Sequence, residues 1–413
     1  MDITPRGVKK DEEMDESLIL IHQNIRGLPS KINEFTSMLT LEQINLRLYV
    51  FSKHHMTESN LGLHNISNYN LSMGFCRQTY QNGGVCVYVR EDICYKTFDL
   101  TRYCEEKIHE VCATQIRSTT NLQIIICMYK SPSGNFYQFL KLLDIMLMFL
   151  YQPKTEFTIC EDINIDYLSD GSKRRQLSQL LGSYNIAHLV NFPTRFQRNH
   201  ISAIDNIFVN NAQLQQSNIL PIHNGLSDHD AQCLLLKNLF IKKKKLSGKY
   251  KTRLFTTDTI GHFQKLLLEE TWARVYQEHD VRSIFNKFLR IYLNIFEASF
   301  PIAYFNKHND NAWITKGIRI SCKKKRSLYL FSRNCNNPEV KIHYKHYCSI
   351  LRKTIREAKR LYFNELIANS ENKVKTTWKI IKNLTKKKTF LTCVPFPKSR
   401  WYGTAPYSSG PGH

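Results

Sequence analysis

The chain has 413 residues, is 42% hydrophobic and carries a formal net charge of +23. That length accommodates two domains and a sizeable core. The longest apolar run, 142–150, contains Asp144 and is too short to span a bilayer. The acidic start, Asp11-Glu-Glu-Met-Asp-Glu16, lacks a signal-peptide pattern. An intracellular protein is therefore expected, with no membrane contact and no small-molecule cofactor. Its twelve cysteines show no ligand spacing and read as reduced core residues.

The charge is unevenly placed. Residues 1–238 carry 22 Lys and Arg against 24 Asp and Glu, whereas residues 239–413 carry 36 against 11. A positive field confined to the second part suits a polyanion.

Residues 1–16 read as a disordered lead. Ser17–His22 is a buried-strand run that ends at Gln23-Asn24-Ile-Arg-Gly27. Lys31 to Leu46 has helical spacing through Ile32, Phe35, Leu39 and Ile44. Leu48–Phe51 reads as a second strand and runs into Ser52-Lys53-His54-His55. Gly83-Gly84 introduces a third at Val85–Val89, and Val111–Ile116 and Leu122–Tyr129 follow. After the turn-rich loop Lys130–Asn135, Phe136–Tyr151 is helical. Phe157–Cys160 is a strand delivering Glu161-Asp162-Ile-Asn164-Ile-Asp166. Arg174–Tyr184 is helical, and Ala203–Val209 is a strand carrying Asp205. Asn224-Gly-Leu-Ser-Asp228-His229-Asp230 precedes the strand through Leu236 that closes the domain at residue 238. Strands with polar residues at their tips, and helices between, predict an α/β sandwich with its site where strand ends converge.

Residues 239–258 read as a basic linker and 259–390 as a mostly helical basic region. Within the latter, Thr259–Glu278, Val281–Phe300, Pro338–Asn369 and Lys373–Thr385 show helical spacing. Lys323, Lys324, Lys325 and Arg326 form a basic run expected to meet nucleic-acid phosphates. The Pro-, Gly- and Ser-containing tail, 391–413, is expected to be disordered.

The strand-tip residues are chemically coherent. Phosphodiester hydrolysis uses a divalent metal, a carboxylate to deprotonate water and donors around the phosphate. Asn24, Tyr129, Asp162, Asn164, Asp205, Asp228 and His229 include all three kinds of group. The strings Gln23–Gly27, Gly83–Arg90, Tyr129–Asn135, Asp162–Asp166, Asn191-Phe-Pro-Thr-Arg195, Ile204–Phe208 and Asn224–Asp230 resemble the endonuclease/exonuclease/phosphatase superfamily, the deoxyribonuclease I-like fold. Within it they are most similar to the endonuclease domain of non-LTR retrotransposons, and the resemblance implies a two-sheet α/β sandwich of the α+β class. The basic part, through Trp313-Ile-Thr-Lys-Gly-Ile318, Glu357-Ala-Lys-Arg360 and Trp378, resembles the linker towards a reverse transcriptase, so the chain reads as a truncated frame of such an element.

The resemblance implies roles by position. Asn24 and Asp228 stand on the metal side. Tyr129 and His229 contact phosphate, and Asp205 orients His229. Asp162 activates water, with Asn164 beside it. Mg²⁺ or Mn²⁺ is the implied metal, DNA the implied partner, and element RNA a further partner of the basic region, all in the nucleus. Two departures stand out. Lys53 occupies the position of an expected glutamate ligand, and a protonated ammonium cannot ligate a metal. Glu161 and Ile163 replace a glycine and an aromatic. The sequence therefore predicts a DNA-nicking endonuclease with weakened metal affinity. A catalytically dead nucleic-acid binder and a cellular abasic-site endonuclease or phosphoester hydrolase are the alternatives.

Overall fold

In a computed structural model, the protein is described at residues 17–42, 46–117, 122–152, 154–197, 200–239, 241, 249–253, 255–306, 312–335 and 337–385. The two segments expected to be disordered, Ile44 and most of the lysine-rich stretch after residue 239 lie outside these. Two compact units emerge, Met1–Lys244 with Asn311–His413, and Lys245–Asp310.

The first unit begins with β1 (Leu18–Asn24), α1 (Ile32–Glu42), β2 (Leu48–Ser52), α2 (Glu58–Leu61), β3 (Tyr69–Phe75) and β4 (Val85–Arg90). Next come β5 (Tyr95–Phe98), β6 (Glu110–Arg117), β7 (Leu122–Tyr129), α3 (Phe136–Leu150), β8 (Thr155–Asp162) and α4 (Ser172–Ser183). Then follow β9 (Ile186–His188), β10 (Arg195–Gln197), β11 (His200–Ser202), β12 (Asp205–Asn210), β13 (Ser217–Ile222) and β14 (Ala231–Leu236). One six-stranded sheet runs β13-β14-β1-β2-β4-β3 and the other β5-β6-β7-β8-β12-β9. Leu20, Val50 and Val87 of the first meet Ile125, Cys127 and Ile207 of the second in a shared core. On the outer faces α1 packs against the first sheet, and α3 and α4 against the second. This is the two-sheet sandwich the sequence predicts. β1 is buried at all seven positions, which is why it reads as an unbroken apolar run.

The parallel pairs β1/β2 and β7/β8 each need a crossover, and α1 and α3 provide them. Asn135 caps α3, its side chain accepting from the amides of Tyr137 and Gln138. Strand ends thereby fall at one edge. Asn24 is level with Ser52, Tyr129 with Asp162, and Asp162 with Asp205.

The second unit holds β15 (Lys249–Arg253), α5 (Thr257–Glu269), α6 (Ala273–Tyr276), α7 (Val281–Ser299) and β16 (Ile302–Asn306). β15 pairs antiparallel with β16, and Arg253 donates to the Phe300 carbonyl at 3.0 Å. Phe255, Phe263, Phe296 and Phe300 form its aromatic cluster. The expected linker thus contains a strand whose partner lies some fifty residues on. The expected helix Thr259–Glu278 is interrupted: Glu270 turns extended at the end of α5 (ψ 122), and Trp272, at φ +57, stands before α6.

The expected single helical region from 259 to 390 is divided. α8 (Lys316–Asn334), α9 (Pro338–Ala368) and α10 (Lys373–Thr385) belong to the first unit. Thr315 and Asn337 cap α8 and α9, and Pro338 takes the first turn of α9. Trp313, Ile318, Cys322, Leu351 and Ile355 form their core, with Tyr347, Ala358 and Tyr362 packed against it. The apolar stripe of α9 is therefore helix packing in its middle stretch. Among the described residues no helix is long and apolar enough to cross a membrane.

Candidate active site

Asn24, Tyr129, Asp162, Asp205 and His229 converge at the common edge of the two sheets. Asn24 Nδ2 donates to Asp162 Oδ2 at 2.6 Å and lies 3.3 Å from His229 Nε2. His229 Nδ1 meets Asp205 Oδ2 at 2.7 Å. Thr194 holds Asp205 from behind, its hydroxyl donating to the same oxygen at 2.8 Å and accepting the Asp205 amide at 3.2 Å. Gln23 secures the His229 backbone, donating to its carbonyl at 3.1 Å while exchanging hydrogen bonds with the Asn224 side chain.

Burial sets the electrostatics. For Asp162, loss of hydration and then repulsion from Asp205 push the pKa up to about 7, against the pull of His229 and Lys53. For His229, burial disfavours the charged ring, but Asp205 outweighs it by charge and hydrogen bond and raises the pKa. Asp205 is correspondingly lowered: burial opposes this and the His229 pairing prevails. The arrangement is thus a carboxylate able to take a proton near neutral pH, beside a positively biased imidazole.

Asp162, Asp205 and His229 offer ligand atoms all within 4.8 Å of one another, a group that could hold a metal ion. Oδ1 of Asp162, Oδ1 of Asp205 and Oδ1 of Asn24 are buried without a hydrogen-bond partner among the described residues. Oxygen donors left over in this way fit a hard cation. Asp228 is not in that group. Its carboxylate pairs with Arg26 and lies 3.7 Å from the Arg195 guanidinium. Burial would raise its pKa, but the Arg26 hydrogen bond and His229 hold it down at about 2.

Lys53 follows the last residue of β2 at φ +53, a left-handed conformation that is strained for lysine. Its ammonium sits over the Tyr129 ring, 5.1 Å from the centroid. The following turn depends on Gly84 at φ +88, where a Cβ would lie 2.4 Å from the His54 ring. His54 itself is structural: its Nδ1 accepts the Met56 amide at 2.9 Å and its Nε2 reaches the Phe75 carbonyl at 2.9 Å. Glu58, the nearest carboxylate along the chain, is exposed at the start of α2.

The second departure has a clear physical result. Glu161 is fully buried and neither of its oxygens has a partner among the described residues. Burial, then the nearby Asp162 and Asp205, push its pKa well above the carboxylate range, so it is a neutral acid. Ile163 is absorbed by the core beneath α3. Asn164 adopts φ +58 and donates to the Lys130 carbonyl at 2.8 Å, tying the exit of β8 to that of β7.

The basic run on α8 needs a correction. Lys323 and Lys324 are exposed, but Lys325 is buried and pairs with Glu34 of α1 at 2.5 Å, so it is not open to a phosphate. A helix has a buried stripe whatever its composition, and residue 325 falls on it with Cys322 and Tyr329. One turn on, α8 grips the loop before β14. Asp230 accepts from Arg333 at 2.7 Å, from Tyr329 at 3.1 Å and from His223 at 2.6 Å. Gly225 lets this happen, since a Cβ there would meet the Tyr329 ring at 3.1 Å. Sequence reasoning assigned no role to Gln23, Arg26, Thr194, Arg195, Tyr329 or Arg333. Gln23, Arg26, Thr194 and Arg195 lie inside the strings that carry the family resemblance, whereas nothing local marks Tyr329 or Arg333.

No protein-family model matches the chain, and no curated protein matches it. Similar solved structures include the endonuclease domain of TRAS1, a telomere-specific non-LTR retrotransposon, at 13% identity and TM-score 0.44, covering 54% of this chain and 99% of that one. The AP endonuclease LMAP from Leishmania major is 12% identical with TM-score 0.42, covering 56% and 92%. An AP endonuclease from Archaeoglobus fulgidus is also 12% identical with TM-score 0.42, covering 53% and 99%. At such distances the site must be read from its own side chains.

Proposed function

We propose that residues 17–238 are a metal-dependent phosphodiesterase domain, the DNA-nicking endonuclease of a non-LTR retrotransposon, with activity impaired by Lys53. The observation that carries this reading is the buried junction of Asn24, Asp162, Asp205 and His229. Asp162, with its pKa near 7, takes the proton of an attacking water. His229, oriented by Asp205, donates from Nε2 to a phosphate oxygen as charge builds there. Tyr129 and Asn164 border the position of that phosphate. Mg²⁺ or Mn²⁺, held by the spare oxygens of Asn24 and Asp162, would stabilise the leaving oxygen.

Lys53 opposes that ion. Exchanging a glutamate for a lysine changes the local charge by two units. A pair of unit charges about 4 Å apart is worth roughly 4 kcal/mol at an effective dielectric of about 20. Metal affinity is therefore reduced by orders of magnitude. Lys323 and Lys324 add sequence-independent phosphate contacts, to DNA and to element RNA in the nucleus.

The test is nicking of supercoiled plasmid by the purified chain, in Mg²⁺ and in EDTA, with Lys53→Glu alongside. Weak or absent nicking by the wild type and a gain in Lys53→Glu are expected. Equal nicking by both would show that Lys53 is no lesion. A second reading, a nucleic-acid binder without catalysis, is favoured by the same Lys53. It predicts salt-sensitive DNA binding and no nicking by either protein.

A further inference from the structure

Beside Asp162 a cavity of about 390 Å³ is lined by Arg26, Lys53, His55, Arg77, Tyr129 and Ser131, among others, and no carboxylate lines it. Two of its three cations have carboxylates behind them. Arg77 donates from Nε to Glu110 at 2.7 Å, and Arg26 pairs with Asp228. The Lys53 side chain has neither an ion pair nor a hydrogen bond among the described residues; its ammonium sits over the Tyr129 ring and feels Asp162 only through space. His55 Nε2 is likewise buried without a partner. Burial, then the charges of Lys53, Lys31, Arg26 and Arg77, hold the His55 imidazole down at about 4, the local mark of a positive field.

We infer that this cavity is a metal-independent seat for a phosphate group, in which the tethered ammonium of Lys53 supplies the charge a divalent ion would otherwise bring. The inference rests on the reading of the domain as one that handles nucleic-acid phosphodiesters, and it separates substrate binding from cleavage. The chemistry is complementary. A compact ammonium on a flexible stem is a point-charge partner for phosphate oxygens. Arg26 and Arg77 bring guanidinium groups to the same cavity, and neutral His55 can donate from Nε2. The left-handed turn at Lys53 and His55, at φ +53 and +57, holds these two side chains to one cavity wall. The substitution that weakens the metal thus leaves a site that retains nucleic acid without it.

The test is a calorimetric titration of inorganic phosphate into the full chain in EDTA, for the wild type, Lys53→Met, Lys53→Arg and Lys141→Met. Lys141 is exposed on α3 and serves as a charge-matched control. Saturable binding by the wild type is expected. Lys53→Met should weaken it by about tenfold or more, the scale of one charge-assisted hydrogen bond; Lys53→Arg should retain most of it, and Lys141→Met all of it. No saturable binding in EDTA, equal binding by Lys53→Met, or binding only when Mg²⁺ is added would overturn the seat. Independently of any variant, phosphate should shift the ring ¹⁵N signals of His55 in the wild type, and unmoved signals count against the seat. Nicking by Lys53→Glu in Mg²⁺ reports separately on the nuclease reading. The seat can fail while that variant nicks, and it can stand while no variant nicks.

Discussion

Lys325→Met removes half of an ion pair that fastens α8 to α1. Nζ lies 2.5 Å from Glu34 Oε1, and the two side chains are 6% and 8% exposed. At an effective dielectric of about 20 their attraction at that spacing is roughly 7 kcal/mol. Each ion loses several kcal/mol of hydration on burial, so the net contribution of the pair is small. The single variant instead strands a buried Glu34 carboxylate, which costs about 3–5 kcal/mol. Lys325→Met with Glu34→Leu removes both charges and should fall within about 1 kcal/mol of the wild type or above it. Urea unfolding of the full chain measures all three. Lys323→Met and Lys324→Met, on the exposed side, should stay within about 0.5 kcal/mol of wild type. Each should also lower the slope of log affinity for DNA against log salt by about one. Lys325→Met should leave that slope alone. If Lys325→Met unfolds like the wild type and lowers the slope as its neighbours do, residue 325 faces solvent and the packing of α8 described above is wrong.

Glu161→Gln mimics the neutral acid. The wild type must keep a proton on Glu161 that the unfolded chain releases above its ordinary pKa of 4.5, so stability falls as pH rises. The variant should gain on the wild type by up to about 1.4 kcal/mol per pH unit above that point, and a gap that stays constant between pH 5 and 8 would contradict this. Asp205→Asn should lower the His229 pKa, read from its imidazole NMR titration. The pair stabilises the fold above the Asp value of 3.8 and below the His value of 6.5, and the benefit fades as pH rises through the raised folded pKa of His229. A stability gap as large at pH 9 as at pH 5 would refute the pairing. Arg333→Ala deletes a 2.7 Å bond to Asp230 and a guanidinium stacked 3.6 Å over Phe196, a loss of about 2–3 kcal/mol. Amide exchange across 223–230 should accelerate, and unchanged protection there would show that α8 does not brace the loop.

The strands legible in the sequence are the central ones. β1, β2, β4, β7 and β8 are buried on both faces or nearly so, and each reads as an apolar run. The strands that pattern reading passed over include the edges: β3 and β13 of the first sheet, β5 and β9 of the second. An edge strand hydrogen-bonds to a neighbour on one side only and needs few buried side chains, so its own sequence carries little signal. Pro221 within β13 would even argue against a strand, and an edge tolerates it. At the site, Asn24, Asp162, Asp205 and His229 were all legible as strand-tip polar residues. Thr194 and Gln23, which hold them, look like any turn or strand residue.

By itself the sequence determined which chemical groups stand at the strand ends, that a lysine stands at position 53, and where the positive charge is concentrated. These are properties of residue type and local pattern. Only the tertiary structure decided which charges are neutralised. Lys325 and Lys323 are neighbours of one kind, yet one is buried against Glu34 and the other is exposed. Asp162, at the end of β8, and Asp228, in the loop before β14, are both carboxylates, yet one is pushed to about 7 and the other held at about 2. Burial and ion pairing are set by segments far apart along the chain, as with Asn24 and Asp162, 138 positions apart, and no local pattern encodes who meets whom.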